Sequence, residues 1–435
     1  MLKRDKIPLS FVQIGLLLVM LMEAQIFYIL PLPSIFWFGH NSDNKSYVII
    51  ILYLLIFYLF VKNNLKIGRS EYFSFIKPYL IFQVISAGIL IVRSKYLYSQ
   101  SWFSMTQCAD YLFMPITAIV FMSAFKGSLN FRKMMVILFW VVFICQIVIF
   151  LQGITYFSTG VIFCKGMRES GTIGVRNGML RSARNALNFI GIGYAMNSLL
   201  NNYNSGISKI NLQLMLLISV INLLFFNGYR TLILATLAML IAIMFFSHKL
   251  GKSVKLLLLV GLLIVFFAFG GFDMIFQLFS TEGEYSGSNV TRLASYEFYW
   301  NRFTDNPLFG FGLIRPFNPR TIYLFGGTNR YFVTDAAAIG LLSEVGVLGA
   351  ITYIVLFIRG LYIVRKLKGN CIRPLLIGIL VYIAATAPGL IITNISRSLA
   401  IPVCMAIFES VYFEYKNNTV KKQEQINNVR NGEYI

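Results

Sequence analysis

The chain has 435 residues, of which 57% are hydrophobic, 16% aromatic and only 13% charged. A water-soluble fold cannot hide that much apolar surface, so lipid is the solvent this composition requires, and continuous Leu, Ile, Phe and Val runs exclude the alternating pattern of a β-barrel. The formal charge of +21 would suggest nucleic acid in a soluble protein, but most of it lies in short breaks between apolar runs, where membrane orientation explains it.

Apolar stretches long enough for a membrane helix recur at 9–30, 47–61, 78–92, 110–125, 134–152, 186–200, 211–226, 231–246, 255–271, 336–358, 374–392 and 398–413. The expected fold is all-α: a polytopic membrane protein of about 12 transmembrane helices over residues 1–415, followed by a disordered cytoplasmic tail at 416–435. The first stretch follows Lys3, Arg4 and Lys6 but is too long for a signal peptide. It also lacks a small-residue cleavage site, and so reads as a retained span. Alternating the spans from a cytoplasmic start puts Lys62, Lys66, Arg69, Lys126, Lys133, Lys249, Lys252, Arg359, Arg365 and Lys366 inside, with both termini. Five cysteines, mostly within apolar runs, show neither disulfide nor zinc spacing.

The same alternation leaves two long outer segments, 153–185 and 272–335, that break the positive-inside pattern. They carry Arg168, Arg176, Arg181, Arg184, Arg292, Arg302, Arg315, Arg320 and Arg330 against a single lysine, Lys165. Guanidinium presents a rigid fork of donors that matches phosphate oxygens two at a time, whereas lysine suffices as an orientation signal. The choice of arginine therefore points to a phosphate-bearing ligand at the outer face. Lipid head groups, or the acids Asp273, Glu282, Glu284, Glu297 and Asp305, are the structural alternative for any one of them.

Individual positions sharpen this. Arg230 lies in Asn227-Gly228-Tyr229-Arg230-Thr231, a short turn where a cation adds to the positive end of the helix it begins. That makes an anion site or, in the plainer reading, a snorkelling interface arginine. Arg181, Arg184, Asn185 and Asn188 share a helical face that descends into the bilayer, lining either a wet cavity or a helix contact. Residues 288–303 read as an amphipathic loop helix on which Arg292 has no acidic neighbour, whereas Arg302 has Asp305 three residues on and reads as structural. Tyr296, Tyr299 and Trp300 offer rings to sugars or to packing. Asp335 either caps the next span or serves as a carboxylate base at the rim of a phosphate-binding cavity. Only two histidines occur, and there is no Walker loop, dinucleotide fingerprint or nucleophile elbow, so the reaction must draw on an already activated substrate.

Three segments resemble the O-antigen polymerase and O-antigen ligase superfamily of bacterial envelope proteins. The Arg230 turn resembles its Ser-Arg-Ser/Thr position. Arg292, Trp300 and Asn306-Pro307-Leu308-Phe309-Gly310-Phe311-Gly312 resemble its Arg, aromatic and Asn-Pro-Leu-x-Gly-x-Gly series, and Glu344-Val345-Gly346-Val347-Leu348-Gly349 resembles its Glu-x-Gly-x-x-Gly entry into the next span. Ligases of this family carry a His-Asn pair shortly before that last motif; here Thr334-Asp335 stands there, which favours the repeat-unit polymerase branch.

The resemblance implies a GT-C-like membrane glycosyltransferase of the bacterial inner membrane that polymerises polyprenyl diphosphate oligosaccharides without metal or cofactor. It further implies membrane lipid and a chain-length regulator as partners and no nucleic acid. On this reading Asp335, Arg230 and Arg292 are catalytic, and Arg176, Arg181, Arg184, Asn188, Tyr296, Arg315, Arg320 and Glu344 bind substrate, with Glu344 second to Asp335 as base. A ligase and a lipid-linked oligosaccharide flippase are the alternatives. A flippase would keep its loops short and its basic residues within the spans.

The topology predicts that single cysteines introduced near Gly171 and Gly326 react with a membrane-impermeant reagent from outside, and those near Ser253 and Lys368 only after permeabilisation. Reversed labelling would overturn the assignment of the arginine-rich loops to the outer face.

Overall fold

The computed structural model describes residues 10–23, 43–62, 70–100, 110–164, 167–168, 173–176, 179–182, 187–201, 203–226, 230–247, 249–268, 286–314, 320–327, 331, 333–388 and 399–430. Within them every predicted apolar stretch is helical. In chain order the helices are α1 (Phe11–Glu23), α2 (Asp43–Val61), α3 (Ile76–Tyr98), α4 (Asp110–Phe125), α5 (Ser128–Thr159), α6 (Asn188–Asn201), α7 (Lys209–Ile221) and α8 (Arg230–Phe246). They continue with α9 (Lys252–Ala268), the loop helix α10 (Ser286–Asp305), α11 (Ala337–Lys366), α12 (Arg373–Thr386) and α13 (Ala400–Arg430). Four described helices are long and apolar enough to cross a membrane (Ile76–Tyr98, Leu129–Thr159, Lys209–Phe226 and Ala337–Lys366), and shorter apolar helices accompany them. This is a polytopic membrane protein.

Local chemistry sets several boundaries. Ser10 opens α1 with a capping box: its hydroxyl accepts from the Gln13 amide at 3.3 Å, and Gln13 Oε1 accepts from the Ser10 amide at 3.1 Å. Helix α5 runs past the predicted end of its span, through residues expected in the first loop. It stops where Gly160 adopts a φ of +70° and its amide closes on the Tyr156 carbonyl at 2.8 Å. The tail expected to be disordered from residue 416 instead prolongs α13 as helix to Arg430, with Lys416 on Glu71 at 3.1 Å. The first loop adds a hairpin that the all-α expectation did not contain, β1 (Ile173–Arg176) paired with β2 (Met179–Ser182).

Glycines let the helices close on one another. A Cβ at Gly378 of α12 would stand 2.6 Å from Ile243 of α8, and one at Gly193 of α6 would stand 3.1 Å from Leu375 of α12. Helix α6 lies antiparallel to α12: near its start Phe189 stacks on Tyr382 with ring centroids 4.0 Å apart, and near its end Asn197 donates to the Cys371 carbonyl at 3.1 Å. Both long loops therefore leave the bundle at one end, the end at which α6 starts and α12 finishes.

Helix α11 is broken at Gly346, whose φ of +63° and ψ of −168° belong to a region open only to glycine. A break in apolar surroundings strands carbonyls on one side and amides on the other, and each must find a partner. The segment 307–312 supplies them. The amides of Phe311 and Gly312 donate to the Ser343 and Glu344 carbonyls, both at 2.8 Å, and the amides of Val347 and Leu348 donate to the Pro307 and Leu308 carbonyls at 2.8 and 3.1 Å. Side chains at Gly310 or Gly346 would strike the carbonyl oxygens of the opposite segment.

Gly346→Ala and Gly310→Ala should each cost at least about 2 kcal/mol and lower the melting temperature of the purified protein. Gly88→Ala, whose Cβ meets nothing within 4 Å, should be neutral. Equal melting temperatures for all three would show that the loop is not clamped in the break.

Candidate active site

The clamp fixes the second loop over the bundle. Arg93, near the end of α3, donates to the Gly310 carbonyl at 2.6 Å and to Asn306 Oδ1 at 3.1 Å, and its guanidinium lies 5.5 Å from the Phe309 ring centre. Gly312 passes so close to Ser94 that any side chain there would clash with the hydroxyl. Above the clamp the loop builds its own small core from Tyr299, Phe311, Ile314, Leu324, Phe325 and Ala336.

Helix α10 lies on that core by one face. Tyr299 is fully buried and its hydroxyl donates to the Tyr331 carbonyl at 2.7 Å; Ser295, also buried, donates to the Thr291 carbonyl at 2.7 Å; Tyr296 reaches the Pro388 carbonyl at the end of α12 at 2.9 Å. Arg292 shares the face of Ser295, Tyr296 and Tyr299 by helical spacing and is half-buried. Among the described residues it has no hydrogen-bond or ion-pair partner. Arg302 differs, as expected, although not through Asp305. Its guanidinium lies 5.2 Å from the Phe298 ring centre and 5.9 Å from that of Tyr323, and reaches the Tyr323 carbonyl at 3.5 Å. Helix α10 thus carries one arginine that holds the loop together and one that no described residue pairs.

Helix α10 also packs against the 3-10 turn Val333–Ala336 that contains Asp335. The N-cap of α11 is Ala336, so the capping role considered for Asp335 falls to its neighbour, which makes no side-chain cap. Ala337 then takes a φ of +51°, strain of the kind that persists where surrounding structure enforces it. Glu344 sits half-buried at the helix break with its carbonyl bound by Gly312.

In the first loop, Gln152 ties α5 to the chain beyond it, donating to the Val161 carbonyl at 3.0 Å and accepting from the Cys164 amide at 2.9 Å. Ile173 and Leu180 of the hairpin bury against Ile149 and Phe226. Its register pairs Arg176 with Met179 and Gly174 with Arg181, the latter half-buried. Beside the hairpin a small polar cavity of about 40 Å³ is lined by Gln146, Ser182, Asn188, Asn222 and Thr236. Asn222 donates to the carbonyl and to Oε1 of Gln146, at 2.8 and 2.6 Å, from a π-helical turn (Asn222–Phe226) that ends just before the Arg230 turn. The Oδ1 atoms of Asn188 and Asn222 are both buried with no donor among the described residues. A space of this size holds a water molecule or a single hydroxyl.

The fold thus packs α10, which carries Arg292 and Tyr296, against the turn that contains Asp335 and against α11, which carries Glu344, with Tyr296 bonded to the end of α12. Arg181 lies in β2 and not on the helical face it was expected to share with Asn188, because the chain forms a hairpin before α6 begins at Asn188; Arg320 is exposed at the start of the turn leading to Ile322–Phe325. Arg230 is the first residue of α8. Arg184 and Arg315 lie outside the described residues, as do the side chains of Arg176, Arg230 and Asp335. Sequence reasoning did not single out Arg93 or Asn222, whose partners lie far along the chain.

A membrane-embedded helical bundle with an arginine-bearing lid docked over one end is the class of protein these features define. Residues 214–354, from α7 through the lid to the upper half of α11, match the family model Wzy_C, O-antigen ligase, a match consistent with the O-antigen polymerase and ligase superfamily. No curated protein matches the chain.

Arg93→Ala should loosen the 306–312 loop by about 1–3 kcal/mol, because it leaves a buried carbonyl and an amide oxygen without their donor. Limited proteolysis should then cut the lid faster while the spans stay intact. An unchanged cleavage rate would show that Arg93 is only an interface cation.

Proposed function

We propose that the protein polymerises polyprenyl-diphosphate-linked oligosaccharide repeat units into surface polysaccharide at the outer face of the bacterial inner membrane. One observation carries the reading: Arg292 sits half-buried on the underside of a lid whose other anchors are all engaged, with no partner among the described residues. A half-buried guanidinium without a counter-charge lacks its best partner, and the diphosphate that arrives with the substrate supplies it.

In the reaction, the bond from the donor's anomeric carbon to the diphosphate oxygen breaks as a bond forms to a hydroxyl oxygen of the acceptor's terminal sugar. The electron pair leaves with the diphosphate, where Arg292 and Arg230 stabilise the growing charge. The hydroxyl proton passes to Asp335, in the turn packed against the lid. The description of the matching family model favours a second reading, a ligase that delivers the same donor to a different acceptor. The acidic residue at the place where ligases carry a His-Asn pair supports the polymerase.

The decisive assay gives purified protein in lipid a polyprenyl diphosphate oligosaccharide and looks for a ladder of longer products. Arg230→Lys and Arg292→Lys should each lose most of the activity, since charge survives but the two-pronged contact does not, while Arg302→Lys should be mild. Asp335→Asn should slow transfer about a hundredfold. Transport of the donor across vesicles without a ladder would identify a flippase, and transfer only onto a lipid A acceptor a ligase.

A further inference from the structure

Five elements meet at the small cavity beside the hairpin, at the end of the bundle from which both long loops leave. Gln146 comes from α5, Ser182 from β2, Asn188 from the start of α6, Asn222 from the π-helical turn and Thr236 from α8. Gln146, Ser182, Asn222 and Thr236 are all buried.

What these side chains offer is oxygen. The Ser182 hydroxyl donates to the Phe226 carbonyl at 3.1 Å and the Thr236 hydroxyl to the Leu232 carbonyl at 2.8 Å, so each of these oxygens keeps only its lone pairs. The side-chain nitrogen of Asn222 is spent on the carbonyl and Oε1 of Gln146, which fixes the orientation of that amide and leaves Oδ1 as the atom with no donor among the described residues. Asn188 Oδ1 is buried in the same condition. Oxygens with unused lone pairs from Ser182, Asn188, Asn222 and Thr236 thus line one space of about 40 Å³, and no carboxylate lines it with them among the described residues.

We propose that this cavity binds one sodium ion. Hard cations take oxygen ligands; neutral amide and hydroxyl oxygens suffice for a single charge, whereas a divalent ion at this burial calls for carboxylates. The space suits one ion or one water molecule. A water molecule has two protons and serves two of these oxygens, while a cation serves all of them. The π-helical turn Asn222–Phe226 fits the role, since turns of this kind occur often at functional sites. On this reading Asn188 meets the ion and not the substrate. Asn222 precedes the Arg230 turn and Thr236 follows it on α8, so the bound ion holds that turn from both sides and ties it to the hairpin of the first loop through Ser182.

Sodium binding needs neither substrate nor turnover, so its test stands apart from the polymerase reading. Purified full-length protein is equilibrated with radioactive sodium in choline chloride at constant ionic strength. Saturable binding of one ion per chain, displaced by unlabelled sodium and not by choline, is the expected result. Thr236→Val keeps the shape of the side chain and removes one oxygen, and should weaken sodium binding about tenfold; Asn188→Asp adds a charge and should strengthen it about tenfold. Thr155→Val, which removes a comparable hydroxyl from an exposed site on α5, should leave it unchanged. Sodium should raise the melting temperature of the wild type, and the same concentration should do less for Thr236→Val. Absence of saturable sodium binding to folded wild-type protein would show that the cavity holds only water and would overturn the proposal. A sodium affinity unchanged in both Thr236→Val and Asn188→Asp, each eluting as folded protein, would put the ion elsewhere and overturn it equally.

Discussion

The docking of residues 307–312 into the break of α11 is the constraint on which the rest of the loop end depends. A helix interrupted within a membrane domain cannot leave its peptide groups bare, because no water is there to satisfy them. Four backbone hydrogen bonds from the loop resolve the break at Gly346, and the same bonds immobilise a segment that would otherwise wander over the surface. Asn306-Pro307-Leu308-Phe309-Gly310-Phe311-Gly312 and Glu344-Val345-Gly346-Val347-Leu348-Gly349 are therefore two halves of one joint. Their glycines stand where opposing backbones come too close for a Cβ.

Once the joint is made, position propagates upward. Arg93 ties the joint to α3, the loop core seats Tyr299, and Tyr299 fixes the face on which α10 lies. Arg292 is then carried on a helix, and among the described residues no acid neutralises it; under the proposed reading this keeps its donors free for an anion. Preorganisation of this kind concentrates binding energy on a developing charge, since the donors do not have to be ordered again at the moment of transfer.

The apolar runs made the helices legible, because length and hydropathy alone decide whether a segment suits a bilayer. Local signals were read less well where tertiary contacts override them. The end of α5 lay at Gly160, an ordinary C-terminal glycine, but the apolar count stopped sooner. The tail beyond Lys416 is rich in Asn, Gln and Lys, which reads as disorder; as a continuation of α13 it pays no nucleation cost and stays helical. Arg292 was singled out for its lack of acidic neighbours, a property that sequence spacing contains, and no described residue pairs with it. Arg302 was rightly set aside, but its partners Phe298 and Tyr323 come partly from another turn of the loop, and spacing showed only Asp305. Arg93 was invisible for the same reason: its two acceptors lie more than two hundred residues away.

The arginines of the protein divide by what satisfies them, and the division orders the functional argument. Arg359 is neutralised by Glu409 and enclosed by aromatic rings, a self-contained unit that tolerates apolar surroundings because its charge is already paired. Arg93 gives its donors to backbone and amide oxygens, which suits a structural clamp, since neutral acceptors hold a guanidinium in place without cancelling its charge. Arg302 spends its charge on ring faces and one carbonyl. Among those with described surroundings on the lid helix, Arg292 alone retains an unspent fork of donors. On the proposed reading, a diphosphate is the partner that completes it, so the proposal rests on which cations the fold has already satisfied.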